Sequence, residues 1–212
     1  MRFRPKEPFN SYSHGLGVLL SIAAMVVVVT MSWPNGNRLL AFSIYGVSLV
    51  LLYAASTVYH WLEVSPRGED WLRRLDHTAI FLFIAGSYTP ICLVSLRGGW
   101  GWGLFGTVWG IAVGGAILKL FFRHLPAWAS ATIYLGMGWL AIVAIGPLLR
   151  AFPMSGLAWL AASGVAYSVG GAIYALERPD PYPLVFGHHE IFHIFVLVGS
   201  AAHFVFMQQY IL

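Results

Sequence analysis

Seven apolar stretches follow one another along the chain, at roughly 14–32, 38–62, 75–96, 100–121, 127–148, 155–176 and 188–211. A helix crosses the hydrocarbon core of a bilayer with ~20 apolar residues, so each stretch is long enough to span. Clusters of Pro, Gly and polar residues separate them. They are Trp33-Pro34-Asn35-Gly36, Ser65-Pro66-Arg67-Gly68, Arg97-Gly98-Gly99, Arg123-His124-Leu125-Pro126, Phe152-Pro153 and Arg178-Pro179-Asp180-Pro181-Tyr182-Pro183. The connections are short and no internal repeat is visible. The pattern predicts an all-α membrane protein, a single domain of seven transmembrane helices over residues 1–212. The fourth stretch is rich in glycine, from Gly101 to Gly115, which reads as close helix packing rather than a phosphate loop.

Composition sharpens this picture. The chain is 58% hydrophobic and only 9% charged, against ~25% charged in an ordinary soluble domain. Nearly every residue is used in or between spans, which leaves no room for a separate soluble domain. The formal charge of +4 comes from basic residues in loops, so it sets orientation and does not point to nucleic acid. The single cysteine, Cys92, lies in an apolar run and has no internal disulfide partner. Glu7, Pro8, Asn10 and His14 interrupt the N-terminal segment, and no small-residue cleavage pattern follows it, so it does not read as a signal peptide.

Loop charges then orient the spans. Arg2, Arg4, Lys6, Arg67, Arg73, Arg74, Lys119, Arg123 and Arg178 fall on one side, and Arg38, Arg97 and Arg150 on the other. The bias predicts a cytoplasmic N-terminus, an external C-terminus and a multi-pass protein of the cell (inner, cytoplasmic) membrane.

That orientation brings candidate chemistry together. His189 and His193 are four residues apart at the start of the seventh stretch, so a helix stacks both imidazoles on one face. Unpartnered polar side chains there would be costly in lipid. The second stretch ends with Ser56 and His60, and the third begins with Asp76. All five fall in the predicted cytoplasmic half of the bilayer. His60, His189 and His193 make a three-imidazole set for Zn²⁺, with the fourth position left to water. Such an ion lowers the pKa of its water toward about 7. Asp76 is the candidate orienter or general base, and Ser56, one turn before His60, the candidate donor to the water or to a substrate oxygen. Taken singly, His60 also reads as a headgroup-level histidine, Asp76 as a helix cap and Ser56 as a packing serine.

Other polar positions are weaker candidates. His189-Glu190-Ile191-Phe192-His193 reads H-E-x-x-H, which makes Glu190 a second candidate base behind Asp76. Asn10 and His14 either line the same cavity or cap the first helix. His188 and His77 need not face the ion, and His124 is a loop residue. His203 stands 14 residues beyond His189, about 21 Å along a helix, and is too far to ligate the same ion.

At this point the chain resembles the hemolysin III branch of the progestin and adipoQ receptor family. The resemblance rests on Glu7-Pro8-Phe9-Asn10 with Ser13-His14-Gly15, Ser56-x-x-x-His60, Leu75-Asp76 with Gly86-Ser87-Tyr88-Thr89-Pro90, and His189-x-x-x-His193. It covers essentially the whole chain. It implies a seven-helix receptor-like bundle, a cytoplasmic N-terminus and a buried zinc on His60, His189 and His193, with Asp76 and Ser56 at its edge. Through the similarity of those receptors to alkaline ceramidases it implies zinc-dependent hydrolysis of a lipid amide. Four functions are then expected to compete: a zinc-dependent lipid amide or ester hydrolase acting in membrane lipid homeostasis, a sensor or receptor with structural zinc, an intramembrane metalloprotease using Glu190, and a pore. The partners expected are the lipid bilayer and a lipid substrate or ligand, with no nucleic acid.

Overall fold

The computed structural model describes residues 4–96, 98–121, 125–182 and 185–212. Arg2, Arg97, Arg123, His124 and Pro183 lie outside them. Among the described residues, seven helices are long and apolar enough to cross a membrane. They are α1 (Pro8–Ser32), α2 (Gly36–Trp61), α3 (Pro66–Leu96), α4 (Gly98–Phe121), α5 (Ala127–Ala151), α6 (Met154–Leu176) and α7 (His188–Tyr210). The protein is therefore an all-α membrane protein that sits in a lipid bilayer.

Two helices start earlier than the apolar runs suggest. α1 begins at Pro8, so Asn10 and His14 stand inside it. α3 begins at Pro66, with Ser65 accepting a hydrogen bond from the Gly68 amide as N-cap. Its first turns are polar and held by Asp70, which pairs with Arg73 and Arg74. Asp76 is thus a mid-helix residue, not a cap. The last turn of α3 widens to a π-helix at Ile91–Leu96, after Pro90. α5 narrows to a 3₁₀ stretch at Trp139–Ala144.

Neighbouring helices in the chain pack against one another, and α7 returns to α1. α3 touches α2, α4 and α5 and is the most enclosed, with 67% of its most apolar window buried. α1 is among the most exposed, at 22%. Two clusters of apolar side chains fill the bundle. One joins α2 to α7 around Phe42, Tyr45 and Phe206, and the other joins α3 to α4 and α5 around Phe81 and Val108.

Glycines set two of the close approaches. A Cβ on Gly17 would lie 2.4 Å from the Tyr53 ring, and one on Gly199 would lie 2.7 Å from the Tyr167 ring. Both tyrosine hydroxyls meet on Ser200 Oγ, at 2.8 and 3.0 Å. In contrast, Gly103, Gly106, Gly110 and Gly114 of α4 have no neighbour within 4 Å of that position.

Candidate metal centre

The centre is built where the end of α2 meets the starts of α1 and α7. The segment before α1 lies along the end of α2: the Lys6 amide donates to the Trp61 carbonyl and the Glu7 amide to the His60 carbonyl, at 3.2 and 3.0 Å. This pairing aims the Glu7 side chain at His60. Glu7 Oε2 lies 2.6 Å from His60 Nδ1. A carboxylate accepts, so Nδ1 carries the proton and Nε2 turns a lone pair inward. Partial burial acts to raise the Glu7 carboxyl. The hydrogen bond from His60 Nδ1–H, with Asn10 and the Lys6 ammonium behind, acts the other way and holds the group below the ordinary carboxylate value.

α7 opens at Gly187, whose amide donates to Glu190 Oε2 at 2.8 Å. The first turn this creates places His189 and His193 on one face. His189 Nε2 comes to 3.4 Å from His60 Nε2, and one nitrogen from each of His60, His189 and His193 lies within 4.8 Å of the others. His60 and His193 are each 1% exposed, and His189 is partly buried. Metal–imidazole bonds of about 2.0–2.1 Å in tetrahedral geometry set ligand nitrogens about 3.4 Å apart. The observed His60–His189 spacing fits that distance, and Glu7 fixes the tautomer that a ligating His60 needs. These three residues fit a metal ion.

Around the three imidazoles runs a second set of contacts. Asn10 Nδ2 donates to Glu7 Oε2 at 3.1 Å and to Glu190 Oε1 at 2.9 Å, which joins the starts of α1 and α7. Both carboxylate oxygens of Glu190 are therefore engaged structurally. His14 stacks on His193, with ring centroids 3.6 Å apart and planes at 14°. Its Nδ1 is 2.7 Å from Ser56 Oγ. Ser56 and Asp76 line the same cavity. His14 Nε2 is buried and has no hydrogen-bond partner among the described residues.

A cavity of about 490 Å³ opens from this cluster. His14, Ser56, Asp76, His189 and His193 line one end. Apolar side chains of α5 and α6, such as Ile142, Ile145 and Leu157, line the middle, and the cavity reaches His203. His203 is 5% exposed between Tyr45 and Phe206, away from the triad. His188 stays outside the triad, its ring 6.5 Å from that of His189. His77 lines the cavity. Sequence reasoning left the supports of Glu7 unrecognised.

The haemolysin-III-related family matches residues 3–204, a range that takes in every residue of this cluster. The chain belongs to the haemolysin-III-related family. It is 42% identical to Hemolysin-3 of Bacillus cereus over 213 residues, covering 100% of this chain and 94% of that protein. It is 40% identical to the Hemolysin-3 homolog of Bacillus subtilis (strain 168) over 201 residues, or 94% of this chain and 91% of that protein. The human Monocyte to macrophage differentiation factor is 25% identical over 217 residues, or 99% and 87% of the two chains.

Proposed function

We propose that the protein is a zinc-dependent hydrolase of a lipid amide or ester, oriented with its N-terminus in the cytoplasm of the inner membrane and acting in membrane lipid homeostasis. One observation carries the reading. Two of the three imidazoles, His189 and His193, line a cavity together with Asp76 and Ser56, and its walls are otherwise mostly apolar. That shape suits an amphiphile whose chain fills the apolar part and whose polar linkage lies at the cluster.

In this reading His60, His189 and His193 hold the ion, and Glu7 and Asn10 hold His60. Bound zinc would supply Lewis acidity, polarising a carbonyl and acidifying a water. Asp76 takes a proton from the attacking water and returns it to the leaving amine or alcohol. Ser56, held by His14, offers a hydrogen bond to oxygen as charge develops on it. The apolar walls exclude bulk water from the reacting bond. Glu190 is committed to Asn10 and Gly187, which disfavours a protease in which it serves as base.

The test is fatty-acid release from N-acyl and O-acyl lipids by zinc-loaded protein in liposomes. Asp76→Asn is expected to keep its zinc and lose about 10²–10⁴-fold in turnover. Undiminished turnover in that variant contradicts the reading.

A second reading, a sensor with structural zinc, is favoured by the position of α1. This helix is mostly exposed, and Glu7, Asn10 and His14 tie it to the cluster. Under it, zinc removal lowers the melting temperature and no lipid is turned over.

A further inference from the structure

The mechanism above leaves one buried cation unused. Lys119, near the end of α4, is 8% exposed. Its Nζ donates to Ser130 Oγ of α5 at 2.6 Å and lies 3.3 Å from His77 Nδ1 of α3. All eight Asp and Glu residues are described, and none forms an ion pair with it. An ammonium buried in protein with no carboxylate beside it is costly unless an anion comes to it.

The arrangement also fixes His77. An ammonium has donors and no acceptor, so His77 Nδ1 accepts and the ring carries its proton on Nε2. The His77 carbonyl accepts from the Tyr134 hydroxyl at 3.0 Å, which pins the backbone. His77 lines the cavity, and its Nε2 has no hydrogen-bond partner among the described residues. The cavity wall beside Asp76 therefore presents an N–H donor backed by a positive charge. Lys119 and Ser130 lie near the ends of α4 and α5 that sit at the same end of the bundle as His60 and His189. In a bilayer that is headgroup level.

The geometry points to an anion subsite: His77 Nε2–H, with Lys119 behind it, binds the acidic oxygen of an amphiphile, phosphate or carboxylate, whose chain runs into the apolar part of the cavity. The subsite rests on the reading that this cavity takes lipid, and not on the metal. It selects the headgroup and uses none of the three imidazoles of the cluster.

The experiment compares hexadecyl phosphate, hexadecanoic acid and hexadecanol, titrated calorimetrically into the full-length protein in neutral detergent, with and without prior chelation. The three share one chain and differ only at the head. At least one acid is expected to bind about tenfold or more tightly than the alcohol in chelated protein, the size of a charge-assisted hydrogen bond. The preferred acid identifies the headgroup as phosphate or carboxylate. Lys119→Met and His77→Phe are each expected to remove most of that preference and leave hexadecanol binding unchanged. His77→Phe leaves the Lys119–Ser130 bond intact, so the result does not depend on Lys119→Met folding. Equal affinity for acids and alcohol overturns the subsite, as does a full preference in folded His77→Phe. A preference seen only in zinc-loaded protein assigns the acid to the metal, which overturns the subsite and leaves the metal reading standing.

Discussion

Glu7 Oε2 lies 2.6 Å from His60 Nδ1, across 53 residues of sequence. The contact ties the segment before α1 to the last turn of α2 and sets which nitrogen of His60 faces the cluster. A carboxylate behind a ligating histidine raises its basicity and fixes its ring.

Glu7→Gln keeps the shape and removes the charge. The expected result is a metal affinity about 10–100-fold weaker, measured by competition with a chelator of known strength. Affinity equal to the wild type would show that the pair serves only to close the helix ends.

His14 is expected to act on turnover rather than on metal content. His14→Phe keeps a ring against His193 but removes the partner of Ser56. The metal should remain at one per chain, while turnover falls about tenfold, the worth of one well-made hydrogen bond. Loss of the metal in this variant would place His14 among the supports of His193 instead.

Gly17→Ala and Gly106→Ala should behave oppositely. The first drives a methyl into the Tyr53 ring and disturbs its bond to Ser200, and about 1–3 kcal/mol of stability should be lost. The second adds a methyl on an open face of α4, where alanine favours the helix by roughly 0.5–1 kcal/mol. Thermal unfolding in detergent separates the two, and equal shifts would contradict the packing described.

Glu190→Gln tests the reading of H-E-x-x-H. One of its two acceptor contacts, to Asn10 or to the Gly187 amide, must be lost, at a cost of about 1 kcal/mol in stability. Turnover should stay within a few-fold of the wild type. A loss of 10² or more would reinstate Glu190 as a base.

Run length made the seven helices legible, because a membrane span must be apolar for most of its length. Helix starts were less so. Glu7, Asn10 and His14 looked like interruptions before α1, and Arg67 to Arg74 like a loop before α3. Both are helical turns at the polar end of the bundle, where a span no longer needs to be apolar. The His189–His193 spacing is local, and with loop charges it brought His60 to the same depth. The Glu7–His60 contact was not legible, since it follows from backbone pairing of Lys6 with Trp61. The stack of His14 on His193 follows from how α1 packs on α7, which sequence spacing does not encode. His77 need not face the ion, and it lies in the cavity wall together with Asp76.

The most direct measurement is the metal content of full-length protein purified without added metal or chelating resin, taken together with His60→Ala, His189→Ala and His193→Ala. The account predicts close to one zinc per wild-type chain, bound through imidazole nitrogen by X-ray absorption, and little or none in each variant. Metal-free wild-type protein that stays so on zinc titration, or variants that keep their full complement, would contradict it.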